Sequence, residues 1–327
     1  MLSEWAEIVA PAEAGSRNVR LADSSHPLDF RIGRDHRARY LFQLDADCAE
    51  AAGLDLPKMT ALTCDLEQLA DGRARLSLVL AHAADFRNFA LLCTSLMLAT
   101  EKLTPSQSAQ GLITTLDELH RWQEMLRRRT DRKLSRPERI GLVGELLFLR
   151  DILAERLGWH TAVACWNGPG GHEQDFVVGG NIFEVKTQVV TADRRIMISS
   201  EDQLDPVQGR ILLCNQGLAP LTAGDPAACT LNSLVETVRT HARTAGSGTA
   251  ERLDIALLEA GYEERDEYDE ESWVLVDRAW YEVRDDFPRI ERSDLRPGVE
   301  QVRYSIRVSD CATFAVEADE AFGGTEQ

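Results

Sequence analysis

The chain has 327 residues, with 54 Asp and Glu against 36 Lys and Arg, for a formal net charge of −18. That length suits two or three domains with a substantial core, and the acidic excess counts against a broad basic surface for nucleic acid without excluding a local basic groove. No apolar run approaches the ~18 residues of a membrane span, and the opening MLSEWAEIVAPAEAGS lacks the basic start and apolar core of a secretory signal. The seven cysteines, Cys48, Cys64, Cys93, Cys165, Cys214, Cys229 and Cys311, form no CxxC pair, so neither a zinc site nor a disulfide framework is expected and a reducing cytoplasm is the expected setting.

In chain order, residues 1 to about 82 read mainly as strands, among them 39–44, 60–66 and 74–81, with Asp71-Gly72 as a tight turn. Two helices follow, over 84–102 and 106–129. Between Arg121 and Arg139 lies the densest basic stretch, with eight cations (Arg121, Arg127, Arg128, Arg129, Arg132, Lys133, Arg136, Arg139) against three acids. It reads either as a solvated helix end, where cations suit the helix dipole, or as a patch that contacts phosphates. Ser135-Arg136-Pro137-Glu138 is a capping box with proline in the first turn, and the apolar helix it opens is expected to end at Gly158. Short strands are then expected at 161–166, 174–178, 181–190 and 194–199, a short helix at 201–204 and a strand at 210–215. A helix over 231–243, a hinge at Gly246-Ser247-Gly248, a helix over 251–259, the acidic run 263–271 and alternating strands complete the chain, with Val302, Tyr304, Ile306 and Val308 in period two. The order suits an α/β (α+β) chain with a small mixed β-sheet flanked by helices. It divides into an N-terminal β-rich domain with two helices (1–130), a core (131–245) and a C-terminal α+β extension (246–327).

The segment Asn181-Ile182-Phe183-Glu184-Val185-Lys186-Thr187-Gln188-Val189-Val190 carries the chemistry. It reads as a buried strand interrupted by an acid and an amine at i and i+2, which point the same way. Charges in such a strand need partners or a task. Gly179-Gly180 can turn a hairpin before it, and Asp175 lies on the preceding arm with eight residues between it and Glu184. Two carboxylates brought together destabilise each other unless a cation or proton intervenes. Lys186 relieves part of that repulsion and a divalent cation such as Mg²⁺ would relieve more. The pattern alone also fits a strand-edge ion pair.

Two further residues add context. Glu145 has Gly141, Leu142, Phe148 and Leu149 as its helical neighbours, none of them a cation, and Gly141 and Gly144 would let its helix approach another element closely. Gln203, in Ser199-Ser200-Glu201-Asp202-Gln203-Leu204, is either an ordinary surface glutamine or a residue lining the site, and Ser200 could cap that short helix. The histidines form no HxH, HxxxH or HExxH, the loop 167–172 has no phosphate-loop ending, and no GxSxG occurs. His172 could approach the site but also reads as a flexible loop residue.

Glu145, Gln174-Asp175, Glu184-Val185-Lys186 and Gln203 together resemble the PD-(D/E)XK nuclease superfamily, in its restriction-endonuclease-like and Mrr-like style, over about residues 135–215. Less specifically, the whole chain is similar to the bacterial PD-(D/E)XK motif proteins found with restriction-modification and phage-defence genes. Gln174 stands where the motif has proline, a position without a ligand.

The resemblance implies a restriction-endonuclease-like core and a Mg²⁺ (or Mn²⁺) ion held by Asp175, Glu184 and the backbone carbonyl of Val185. Lys186 would orient or activate the attacking water, Glu145 would assist a metal or a water, and Gln203 would be accessory. It implies a DNA endonuclease of restriction or phage defence, with partners in a defence operon and a homodimer as in restriction enzymes; on the phosphate-patch reading of the stretch 121–139, DNA would be contacted there. The competing reading is a non-catalytic subunit that docks protein partners through its acidic surface, motivated by the −18 charge and the run 263–271.

Overall fold

The computed structural model describes residues 5, 7–48, 53–128, 133–167, 174–190, 194–205, 209–222 and 225–323. The chain divides into two compact units, residues 1–132 and 133–327.

The first unit is built on β1 (Arg17–Leu21), β2 (Asp29–Asp35), β3 (Tyr40–Ala46), β4 (Leu62–Gln68) and β5 (Ala74–Leu80). They form an antiparallel sheet in the order β1-β2-β3-β5-β4. Alternation sends Phe30, Ile32, Phe42, Leu44, Leu76 and Leu78 into the core. Helices α1 (Phe86–Thr100) and α2 (Ser108–Arg128) pack on each other, and α2 packs on β3. Trp5 joins the layers, its ring lying against Phe42 of the sheet and Phe89 of α1. On β3 the buried Asp45 carboxylate accepts hydrogen bonds from Arg75 at 2.6 and 2.7 Å and from Arg31 at 2.5 Å. Burial opposes this charge, but the two guanidinium groups outweigh it and lower its pKa.

The second unit opens with α3 (Arg136–Phe148). Its Ser135 hydroxyl accepts from the Glu138 N–H, and Glu138 Oε2 accepts from the Ser135 N–H at 2.8 Å. The helix passes through one π turn, Leu149–Leu153, into α4 (Ala154–Ala164). Gly158, at φ 75, bends the chain as glycine can, but the helix resumes beyond it. The strand expected over 161–166 is therefore the last turn of α4, and only Trp166 joins a strand, by a bridge to Phe176.

A five-stranded mixed sheet follows: β6 (Phe176–Val178), β7 (Asn181–Val189), β9 (Arg210–Leu221), β10 (Ser272–Val283) and β12 (Ala315–Val316), in the order β12-β10-β9-β7-β6. The β7–β9 pair is parallel and the others antiparallel. Gly179 and Gly180 join β6 to β7 with φ 55 and 86, the two positive values a two-residue hairpin turn requires. β8 (Arg195–Ile198) lies outside this sheet and pairs with β11 (Tyr304–Arg307) in a ribbon of its own.

Each face of the sheet is covered. Phe183, Val185, Leu212 and Trp280 share one core with α3, α4, α5 (Leu231–Ala245) and α6 (Ser247–Glu259). Ile182, Ile211, Leu213 and Tyr281 share another with Ile196, Ile198 and Ile306 of the ribbon. Along 301–308 the odd positions are exposed and the even ones turned inward. Gly246, at φ 134, is a tight junction between α5 and α6, which pack together, and not a hinge. Residues 246–327 belong to the same compact unit as 133–245, because β10 is the sheet partner of β9 and buried Leu253 and Leu257 share the helical core.

α3 lies close enough on β7 that a Cβ on Gly144 would fall 1.7 Å from Thr187 Oγ1, whereas one on Gly141 would meet nothing within 4 Å. Gln216 of β9, fully buried, reinforces the approach by donating to the Gly144 carbonyl at 2.8 Å. Gly141→Ala should therefore gain up to about 1 kcal/mol from helix propensity, and Gly144→Ala should lose about 1–3 kcal/mol through overpacking. Denaturant melts of the two variants, side by side, check the contrast.

Candidate active site

The β6–β7 hairpin sets the site's geometry. Phe176 pairs with Phe183, and one further step along the register sets Asp175 opposite Glu184. Asp175 Oδ2 accepts a 2.7 Å hydrogen bond from the Val185 N–H across the hairpin. Glu184 and Lys186 share one face of β7, and Glu184 Oε1 lies 2.6 Å from Lys186 Nζ. Glu184 is fully buried, and among the described residues neither of its oxygens finds an aligned hydrogen-bond donor, so the contact with Lys186 is an ion pair.

Two elements complete the cluster. Glu145, 8% exposed on α3, accepts a 2.8 Å bond at Oε2 from the Trp166 indole N–H. Gln203, in the 3-10 turn Glu201–Leu204, accepts at Oε1 from Lys186 Nζ at 3.1 Å and from the Ser199 N–H at 2.9 Å. Ser200 caps that turn through the Asp202 N–H. The glutamine thus fixes the direction of the lysine. The five side chains expected from the sequence, Glu145, Asp175, Glu184, Lys186 and Gln203, stand in one electrostatic neighbourhood. His172 lies outside the described residues.

Burial governs the charge states. It raises the Glu184 carboxyl to about 8, with repulsion from Asp175 added and Lys186 only partly opposing. Glu145 rises well above the ordinary range from burial and then Asp175, against the Trp166 hydrogen bond. Asp175, half-buried, rises from desolvation despite Lys186 and the Val185 N–H. Burial works against the Lys186 ammonium, but Glu184 and Asp175 more than offset it and its pKa increases. Among the described residues three acids surround one ammonium, which leaves a deficit of positive charge.

The donor set suits a hard divalent cation bound by few protein ligands. Both oxygens of Glu184 are buried without an aligned donor, and Asp175 faces it across the hairpin. Among the described residues no three acidic, histidine or cysteine side chains form a metal cage. Mg²⁺ commonly takes one or two carboxylates and fills the rest of its octahedron with water and phosphate oxygens.

Sequence reasoning missed Trp166 and Thr187. Trp166 reads as a strand residue, and its need for a partner for one buried N–H was the available signal. The basic stretch 121–139 is largely engaged. Arg121 pairs with Glu118, Arg127 with Glu124, Lys133 with Glu267, and Arg136 and Arg139 with Glu271. The side chains of Arg128, Arg129 and Arg132 lie outside the described residues. The acidic run 263–271 is thus in part the counter-charge of residues 133–139, anchored by buried Tyr268, whose hydroxyl accepts from the Leu134 N–H. All seven cysteines are free thiols. Among the described residues no helix is long and apolar enough to cross a membrane.

No curated protein and no solved structure matches this chain. One family model, described as "Putative PD-(D/E)XK family member (DUF4420)", matches residues 1–309. With nearly the whole length matched, and an acid, a glutamate and a lysine grouped on the hairpin where that motif calls for them, the chain belongs to this PD-(D/E)XK family.

Proposed function

We propose that the chain is a divalent-metal-dependent phosphodiesterase that cuts nucleic acid internally, with DNA as substrate and restriction or phage defence as its role. The observation that carries the reading is the convergence of Asp175, Glu184 and Lys186 on one hairpin, with Glu184 buried and short of hydrogen-bond donors. The family likeness supports the nuclease class, and the choice of DNA and of a defence role rests on the resemblance alone.

Asp175, Glu184 and the Val185 carbonyl would hold a Mg²⁺ or Mn²⁺ ion, which when bound supplies Lewis-acid neutralisation of the phosphate's charge. Lys186 Nζ, aimed by Gln203, donates to the attacking water and to the phosphate oxygen on which charge develops. Glu145, with Oε2 taken by Trp166, offers Oε1 as a place to hold a proton. The helical core on one face and the ribbon on the other keep Glu184 from water, which strengthens its interactions. The alternative of a purely docking subunit loses part of its motive, since Glu267 and Glu271 of the acidic run are bound within the unit.

Lys186→Ala and Asp175→Ala should each lower cleavage of a DNA substrate in Mg²⁺ or Mn²⁺ by ~10²–10³ or more while melting as cooperatively as the parent. Equal cleavage with and without these side chains would remove the assignment.

The charge states make a second, metal-free prediction. The Glu184 carboxyl binds its proton more tightly in the folded chain (about 8) than at its ordinary value of 4.5. Its contribution to stability is therefore present below about 4.5 and is lost as pH rises through about 8. In EDTA, Glu184→Gln should gain melting temperature relative to the parent across that window, and added Mn²⁺ should stabilise the parent but not the variant. Parallel melting curves over the whole range would contradict it.

A further inference from the structure

On the face of β7 that carries Glu184 and Lys186, the next residue is Gln188. The parallel register sets Asn215 of β9 beside Lys186 on that face. Gln188 Nε2 donates to Asn215 Oδ1 at 3.0 Å, which leaves Nδ2 as the free end of the asparagine amide. Asn215 is only 2% exposed. Its other neighbours on this face are Lys186 of β7, Ala279 of β10, and Leu213 and Gly217 along β9. None of these four offers a side-chain acceptor. Among the described residues the Asn215 Nδ2 group finds no acceptor, and the Glu184 oxygens receive no bond from it. A buried donor left without an acceptor costs stability and calls for an explanation.

The face opens toward solvent at this end of the strand. Glu184 is fully buried, the Lys186 side chain is 17% exposed, Gln188 is half-buried, and Val190, just past the strand, is exposed. β7 and β9 run parallel, and that side is the one at their carboxyl ends, where ligands bind in open α/β sheets. A ligand entering there meets Lys186, whose ammonium favours an anion. The acceptor brought to the Asn215 amide is then an anionic oxygen.

The geometry points to Asn215 as a further substrate-contacting residue. Its Nδ2 donates to a non-bridging oxygen of the phosphodiester that Lys186 also contacts, and Gln188 is the positioning residue that holds the amide. The inference rests on the nuclease reading above and adds a neutral donor beside the cation. A donor held in place before the substrate arrives needs no reorganisation as charge develops on that oxygen.

The test is cleavage of a short labelled DNA duplex by the full chain in Mn²⁺, with melting curves in EDTA alongside. Asn215→Leu, close in size and without a donor, should lower kcat by about 10²-fold or more with little change in KM. It should melt no lower than the parent, because an unpaired polar group leaves the interior. Gln188→Leu, at a half-buried position, should lower kcat by a smaller factor. Asn215→Leu/Gln188→Leu should cleave no more slowly than Asn215→Leu alone, since Gln188 acts through the amide. A structural role gives the opposite pattern, a lower melting temperature with kcat kept per folded molecule. That pattern in Asn215→Leu, or in Asn215→Ala where the leucine variant does not fold, overturns the inference. Strictly additive losses remove the part given to Gln188. A parent that cleaves no better than its Asn215 variants removes this contact alone, whereas a parent that does not cleave removes the nuclease reading and the contact with it.

Discussion

Carboxyl groups buried beside one another are held only if something compensates their charge, and the second unit is arranged around that constraint. Glu184 is removed from water between the layers, Asp175 faces it across a two-glycine turn, and Glu145 reaches the same neighbourhood from α3. Among the described residues one ammonium, Lys186, serves all three. In a poorly solvated site an unbalanced charge is costly. The balance is met in part by protonation, which the raised carboxyl pKa values express, and a divalent cation would meet it more fully.

The surrounding architecture serves this arrangement. Gly144 lets α3 settle on Thr187, and Gln216 ties the helix carbonyl to the sheet, so Glu145 enters at a fixed depth. Arg278 of β10 in turn donates to Gln216 Oε1 at 2.9 and 2.7 Å. A strand close to the C-terminus therefore supports the helix that carries the first acid. The π turn that follows α3 continues the chain into α4 and on to Trp166, which holds Glu145 from the other side. Such polar networks are rigid when every member is satisfied.

Charge is also settled by segregation. The acidic run and the cations of residues 133–139 neutralise one another at the surface, where each pair contributes little to stability. On the ribbon Arg307 is likewise paired with Asp310, and Glu201 ties the ribbon to the turn whose Gln203 holds Lys186. The overall charge of −18 is thus a poor guide to the local field at any one place on the surface.

Local rules were enough to read the hairpin and the E-x-K strand, since alternation, a glycine pair and β-branched residues act over a few neighbours. The capping box at Ser135 and the short helix at Ser200 were legible for the same reason. Local rules failed where distant packing overrode them. Gly158 bends a helix that the core then continues, so residues 161–164 are helical, and Gly246 joins two helices that share one core instead of separating domains. Arg195–Ile198 reads as a strand, but nothing nearby says that its partner is Tyr304–Arg307 and not the main sheet. Residue order alone dictates which side chains of β7 share a face, because a strand's period is a property of the backbone. Folding in three dimensions was needed to bring Glu145 to Trp166 across 21 positions, Gln203 to Lys186 across 17, and β8 to β11 in a ribbon of their own. Those contacts depend on how layers close over a shared core, and no pattern of near neighbours encodes that.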